Sequence, residues 1–131
     1  MTDTATTTAT TTTDSTTEML ADRYIAIWNE TAAATRRELI AKTWAEDGHY
    51  LDPLLAGDGR DGIDAMTAGF QSAYPGHTFR RVGAIDQHHD RIRFGWELVT
   101  PDGQTFVIGT DYGEITPDGL LRSITGFFEQ P

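Results

Sequence analysis

Three polar residues that lie far apart in the chain, Tyr24, Asp52 and Asp111, are the strongest candidates for chemistry. Each lies where the surrounding hydrophobic pattern points inward, so each is a polar group directed at an apolar interior. A phenol can donate a hydrogen bond to a developing oxyanion, and a carboxyl can take or give a proton. If the three residues converge, they form a proton-transfer site in an apolar cavity.

Asp111 carries the sharpest signal, because it lies in the middle of a predicted strand, in register with Val107 and Ile115. Aspartate is disfavoured in strands, and an ionised carboxyl among apolar neighbours is costly. Desolvation would raise the pKa of such an acid, so that it stays protonated and can donate a hydrogen bond. The alternative is a reversed register, in which Asp111 is solvated on the outer face of the sheet.

Asp52 and Tyr24 each have a simpler explanation as well. Asp52 precedes Pro53 at the end of a short strand, and Asp-Pro is an ordinary turn opener. Its functional interpretation depends on Tyr50, which shares a strand face with it. Tyr24 lies on the core side of an amphipathic helix, where any backbone carbonyl would satisfy its hydroxyl.

The elements that must position these residues begin with helices. Capping-box spacing at 15–18 and at 35–38 predicts the starts of two helices. Asp61 can cap a third helix, which we expect to end near 74–76.

Strands follow the helices. A short strand is predicted at 49–53, before a Gly/Asp-rich loop at 57–60. The hydrophobic pattern then alternates with a period of two and predicts strands at 77–88, 90–100, 104–116 and 120–129. Three helices packed on one face of a curved, mostly antiparallel sheet give an α+β fold.

The predicted strand at 104–116 is apolar on both faces, with Phe106, Ile108 and Tyr112 on one side and Val107 on the other. The helices cover one face of the sheet. A second subunit is the natural cover for the other face, so we predict a homodimer through the sheet.

Composition narrows the classes of function. Residues 1–17 are dominated by threonine and predict a disordered tail before a folded domain at 18–131. The net charge of −10 argues against nucleic-acid binding. No membrane-spanning stretch or signal peptide is visible, and cysteine is absent, so we expect a cytoplasmic protein without a membrane partner.

The histidines do not predict a metal site. His88 and His89 are adjacent and would point to opposite faces of a strand, and no helical His pair occurs. His77 and His89 share strand parity with Phe79 and Ile85, so either could line the cavity. We expect neither a metal nor a cofactor.

Short motifs in a characteristic order cover roughly 18–129, namely Arg-Tyr-Ile-Ala at 23–26, Leu-Asp-Pro at 51–53, Arg-Phe-Gly-Trp at 93–96, Thr-Asp at 110–111 and Gly-Phe-Phe at 126–128. With these motifs the chain resembles the nuclear transport factor 2-like superfamily, a cone-shaped α+β fold. It is similar to the SnoaL-like polyketide cyclase and ketosteroid isomerase branches of that superfamily.

The resemblance to ketosteroid isomerase implies roles for the three candidates. The general base of an Asp-Pro pair falls on Asp52, and the tyrosine and protonated aspartate of the oxyanion hole fall on Tyr24 and Asp111. The cyclase branch would instead use a strand aspartate near Asp111 as the acid/base. The substrate-binding candidates are Tyr50, Trp96, Phe94, His77, His89 and Phe127.

We therefore predict a cofactor-independent isomerase or cyclase that moves a proton next to a carbonyl of a hydrophobic substrate. One alternative is a non-catalytic small-molecule-binding protein that uses the same cavity. Another is a protein-interaction domain that uses the sheet face bearing Phe106, Ile108 and Tyr112.

Overall fold

The computed structural model describes residues 15–129 and confirms the α+β fold. The helices are α1 (Ser15–Asn29), α2 (Ala33–Thr43) and α3 (Gly59–Ala73). The strands are β1 (Trp44–Leu51), β2 (Ala56–Asp58), β3 (Thr78–His88), β4 (Arg91–Val99), β5 (Thr105–Ile115) and β6 (Leu121–Glu129).

Helix α1 begins at Ser15, inside the tail that was predicted at 1–17. Residues 1–14 lie outside the described residues. Residues 15–17 form the first turn of α1, and the side chain of Thr17 is buried. The capping-box spacing at 15–18 therefore places the helix start where the structure has it.

The strands form one six-stranded sheet in the order β2-β1-β6-β5-β4-β3. Strands β1 and β6 are parallel, and every other neighbouring pair is antiparallel. The helices pack on one face, with α1 against β3 and α3 against β1 and β2. Alternation in β4 explains this packing, because Ile92, Phe94, Trp96 and Leu98 are buried while Arg91 and Arg93 are exposed.

Two helix starts differ from the sequence-based expectation. Helix α2 begins at Ala33, before the predicted cap at Thr35, and its N-cap makes no side-chain capping bond. Buried Arg36 fixes the start of this helix. Its guanidinium donates to the Glu30 carbonyl at 3.0 Å and to the Asp64 carboxylate at 2.6 Å. These tertiary contacts outweigh the local capping signal.

Helix α3 begins at Gly59, so Asp61 lies inside its first turn and is not its cap. The reason is a strand that the sequence did not reveal. The segment predicted as a Gly/Asp-rich loop overlaps β2, which pairs antiparallel with β1 and is followed directly by the helix. Gly57 permits this approach, because a Cβ there would lie 3.1 Å from the Gly62 carbonyl oxygen.

A bulge in β5 changes the direction of Phe106. Leu98 pairs with Val107, but Val99 pairs with Thr105, so Phe106 is left without a partner on β4. Its ring lies 5.9 Å from that of Tyr74 at the end of α3. The expectation that Phe106 shares the outer face with Ile108 and Tyr112 was therefore wrong.

The outer sheet face still presents an apolar pair that supports the predicted dimer. The rings of Tyr112 and Phe127 lie 5.7 Å apart, and these residues are 43% and 54% exposed. We expect light scattering at micromolar concentration to give twice the mass of the chain, and Tyr112→Glu/Phe127→Glu to give a monomer. Met19→Glu, which adds a charge at an exposed apolar residue of α1, is the control. A monomeric wild type would contradict the prediction.

No helix within residues 15–129 is long and apolar enough to cross a bilayer.

Candidate functional site

A cavity of about 580 Å³ lies between the helices and the inner face of the sheet. Its volume falls within the range of small-molecule sites. Aromatic rings form much of its wall, chiefly those of Trp28, Phe70, Phe79, Trp96, Phe106 and Phe128. We call the exposed end of the cavity, formed by Leu54, Tyr74 and Phe106, its mouth.

Asp111 faces this cavity from the middle of β5 and is 3% exposed. It pairs with Phe94 on β4 and with Gly126 on β6 without a register shift, so the reversed register does not occur. The Tyr24 hydroxyl donates to Oδ2 at 2.7 Å, and the Trp96 indole donates to Oδ1 at 3.0 Å.

The protonation of Asp111 reflects two opposing effects. Their net result is a pKa of about 7 for Asp111, raised from the ordinary 3.8, and burial is the main cause. The hydrogen bonds from Tyr24 and Trp96 lower this pKa, because they favour the ionised form, while the nearby charge of Asp52 raises it. The desolvation effect is the largest, so the carboxyl exchanges its proton near neutral pH.

Tyr24 is held on the buried side of α1 by its ring packing on Trp44 at 6.1 Å and on Phe94 at 5.8 Å. Burial raises the pKa of its hydroxyl well above 10.0, and the neighbouring Asp111 carboxyl raises it further. Tyr24 therefore remains a hydrogen-bond donor throughout the physiological pH range.

Asp52 reaches the cavity just after β1 and serves a turn at the same time. Its Oδ1 accepts the backbone N–H groups of Leu54 and Leu55, each at 2.8 Å. Its Oδ2 accepts the Tyr50 hydroxyl at 2.6 Å. Burial, with the charges of Asp111 and Asp52, raises the pKa of Tyr50, so this phenol also stays protonated. The turn explanation and the cavity explanation of Asp52 both hold.

The side chains of Asp111 and Asp52 both lie next to Gly126 on β6. A Cβ at this glycine would lie 2.8 Å from Asp111 Oδ1, 3.3 Å from Asp52 Cβ and 3.5 Å from the Tyr50 hydroxyl oxygen. The three candidates Tyr24, Asp52 and Asp111 are thus brought together in the wall of one cavity. Gly126 was not among the predicted site residues, although a glycine at an inward position of a strand was a usable signal.

Tyr50 and Trp96 line the cavity, whereas Phe94 and His77 do not. Phe94 lies behind Tyr24 in the core. The His77 ring lies beside the mouth, 5.5 Å from that of Phe106, and its Nδ1 is 3.2 Å from the Pro75 carbonyl oxygen.

His89 and Phe127 also lie away from the cavity, which corrects the expectation for both. His89 is exposed in the turn between β3 and β4 and has a φ of 51°, so strand parity does not apply to it. Phe127 alternates with Gly126 and points to the outer face beside Tyr112. The neighbouring Phe128 lines the cavity instead.

The lining contains two carboxyls but no Lys, Arg or His, and within residues 15–129 no cluster of three or more His, Asp or Glu could hold a metal ion. A carboxylate ligand would have no cationic partner in this lining and would lie near two acidic side chains, so we expect 2-naphthol to bind on the order of 100-fold more tightly than 2-naphthoate. Quenching of Trp28 and Trp96 fluorescence measures both affinities. Equal binding of the two would contradict this expectation.

Comparison with known proteins identifies relatives of this arrangement. No protein-family model matches the sequence, and no curated protein matches it significantly. A solved structure from Agrobacterium tumefaciens str. C58, described as a proposed isomerase of the SnoaL-like family, shares 35% identity with a TM-score of 0.86. The match covers 89% of this chain and 100% of that chain.

More distant structures show the fold alone. A nuclear transport factor 2-like protein of unknown function from Exiguobacterium sp. 255-15 has 17% identity and a TM-score of 0.68, with 86% and 99% of the two chains covered. A proposed SnoaL-like polyketide cyclase from Jannaschia sp. CCS1 has 15% identity and a TM-score of 0.63, with 84% and 85% covered. On the strength of the Agrobacterium relative, the chain belongs to the SnoaL-like family.

Proposed function

We propose that this protein moves a proton next to a carbonyl of a hydrophobic substrate, as a cofactor-independent isomerase or cyclase. The observation that carries the proposal is Asp111, a carboxyl with a pKa of about 7 in an apolar cavity. It lies 2.7 Å from the Tyr24 hydroxyl, and Asp52 lies beside it above Gly126. The SnoaL-like relative described as a proposed isomerase supports the reaction class.

In the first assignment of roles, Asp52 is the base. Its Oδ2 takes a proton from the carbon beside the carbonyl, and the electron pair of that C–H bond moves to the carbonyl oxygen. Tyr24 and protonated Asp111 donate hydrogen bonds to this oxygen, which are strengthened because both donors are buried. The proton then returns to a different carbon of the substrate, which completes an isomerisation.

A second assignment makes Asp111 the acid/base itself. Its pKa of about 7 suits proton exchange at neutral pH, while Asp52 already accepts three hydrogen bonds. The pH dependence of kcat separates the two assignments. If protonated Asp111 is a donor, the rate falls as pH rises through about 7, whereas it rises there if Asp111 is the base.

A second candidate function is small-molecule binding without chemistry. The observation that favours it is that Asp52 holds the turn at Leu54 and Leu55, a structural role that needs no substrate. This function predicts that 2-naphthol raises the Tm of the protein, and that the same rise persists in Asp52→Asn.

The test of the proposed enzyme is exchange of carbon-bound hydrogen. Neutral two-ring ketones such as 2-tetralone are incubated with the protein in D2O, and loss of the α-proton signal is followed by NMR. We expect exchange faster than buffer alone for wild type and for Asp47→Asn, which alters an exposed carboxyl on β1. Asp52→Asn/Asp111→Asn should reduce exchange to the buffer rate. Undiminished exchange in that double variant would refute the proposal.

A further inference from the structure

Trp96 lines the cavity and also donates a hydrogen bond to Asp111. It lies at an inward position of β4, opposite Gly109 of β5. Its indole Nε1 donates to Asp111 Oδ1 at 3.0 Å, and the residue is buried. The second tryptophan of the wall, Trp28, packs edge-on against Tyr50 and hydrogen-bonds to Tyr24, not to Asp111.

The Trp96 ring packs directly on the backbone at Gly109, which has no side chain. A Cβ on Gly109 would lie 2.2 Å from Cζ2 of Trp96 and 2.6 Å from the Phe127 carbonyl oxygen, so only glycine leaves room for the ring. The rings of Phe79 at 5.3 Å and Phe128 at 6.1 Å bound it on other sides. The indole N–H is therefore held toward Asp111 by packing and not by the hydrogen bond alone.

Each oxygen of the Asp111 carboxyl accepts one hydrogen bond, Oδ1 from Trp96 and Oδ2 from Tyr24. A carboxyl on a strand can rotate about its Cβ–Cγ bond, whose torsion is broad. With the indole holding Oδ1, the other oxygen Oδ2 is directed at the Tyr24 hydroxyl. Trp44 offers a contrast, because it is equally buried but its Nε1 has no hydrogen-bond partner among the described residues.

We propose that Trp96 is a positioning residue, whose indole N–H, clamped over Gly109, holds the Asp111 carboxyl in the orientation used for proton transfer. The catalytic part of this inference rests on the proposed function, but the hydrogen bond can be tested without a substrate. Trp96 acts through Asp111, and the role differs from the wall contact expected for an aromatic side chain.

Removal of the indole N–H has a defined electrostatic consequence. The bond favours ionised Asp111, so its loss in Trp96→Phe raises the titration midpoint of Asp111 by about one pH unit. The titratable groups that face Asp111 are Tyr24 from α1, Tyr50 from β1 and Asp52 after β1, and the substitution leaves all three in place.

The experiment is a carboxyl-carbon NMR titration of wild type, Trp96→Phe and Trp44→Phe, with Asp111→Asn for assignment. The control makes the same substitution at an indole that packs on Tyr24 but has no hydrogen-bond partner within residues 15–129. We expect the Asp111 midpoint to rise in Trp96→Phe and to stay at the wild-type value in Trp44→Phe. An unmoved midpoint in Trp96→Phe, or an equal rise in both variants, would overturn the proposal.

A second measurement uses the wild-type protein, so it does not depend on whether Trp96→Phe folds. In nitrogen-labelled wild type, the indole N–H resonance of Trp96 should shift with the same midpoint as the Asp111 carboxyl, near pH 7. The Trp44 resonance should not follow that titration, and the Trp96 shift should vanish in Asp111→Asn. If the Trp96 indole resonance does not shift as Asp111 titrates, the proposal is wrong.

The exchange assay then separates this inference from the proposed function. If wild type exchanges ketone protons, the pH profile of Trp96→Phe should move upward with the Asp111 midpoint, and an unmoved profile rules out the positioning role. If wild type shows no exchange but the midpoint still rises in Trp96→Phe, the orienting bond stands and the proposed function fails.

Discussion

Asp52→Asn is expected to lower the rate of proton transfer by roughly 10²- to 10⁴-fold while leaving the fold intact. The amide oxygen of asparagine can still accept the N–H groups of Leu54 and Leu55, which now bind Oδ1 of the carboxylate. What the amide cannot do is take a proton. The substitution therefore removes the base and keeps the turn, and exchange into 2-tetralone measures the loss.

Asp52→Ala is the matched variant that removes both roles. It leaves two backbone N–H groups without their acceptor, so we expect a loss of about 1–2 kcal/mol in the free energy of unfolding, measured by urea denaturation. Asp52→Asn should unfold at the wild-type urea concentration. Full turnover in Asp52→Asn would show that Asp52 is a turn residue only, and would leave Asp111 as the acid/base.

Asp111 should make the stability of this protein depend on pH in an unusual direction. Its folded-state pKa of about 7 lies above the ordinary 3.8, so the folded protein holds a proton that the unfolded chain releases. The contribution of Asp111 to the free energy of unfolding is therefore complete below about pH 4 and is lost as pH rises through about 7. The total loss is about 4 kcal/mol.

The measurement compares urea unfolding of wild type and Asp111→Asn from pH 4 to pH 8. The amide carries no charge at any of these pH values. The free energy of unfolding of the variant, relative to that of the wild type, should therefore increase as pH rises and level off above pH 7. Other carboxyls titrate in both proteins and cancel in the difference. Asp47→Asn, exposed on β1, should show no such trend. A flat difference for Asp111→Asn would mean that this carboxyl is not desolvated.

The sequence predicted most of the strands closely, because their positions depend on local alternation and hairpin signals. Strand β3 was expected at 77–88 and runs from Thr78 to His88, and β6 was expected at 120–129 and begins at Leu121. Strand β2 and the bulge at Phe106 were not predictable in the same way. Strand β2 has only three residues, too few to show an alternating pattern, and the bulge results from an offset in register between β4 and β5.

Inward parity made Tyr24, Asp52 and Asp111 candidates, but their convergence depends on strand register, which the sequence left open. Inward parity did not predict which groups orient these three residues. The donor role of Trp96 depends on how its ring lies over Gly109, and no periodicity encodes a rotamer. Phe127 was mistaken for the wall residue because it neighbours one, and a single step along a strand reverses the face.

The central position of β6 has a consequence for how the site comes into being. This strand is the last described element, yet it lies between β1 and β5 and joins the early half of the chain to the late half. Until it inserts, Asp52 and Asp111 belong to separate fragments of sheet. During synthesis the cavity should therefore appear in one late, all-or-none step of high contact order, and no partial chain should bind ligand.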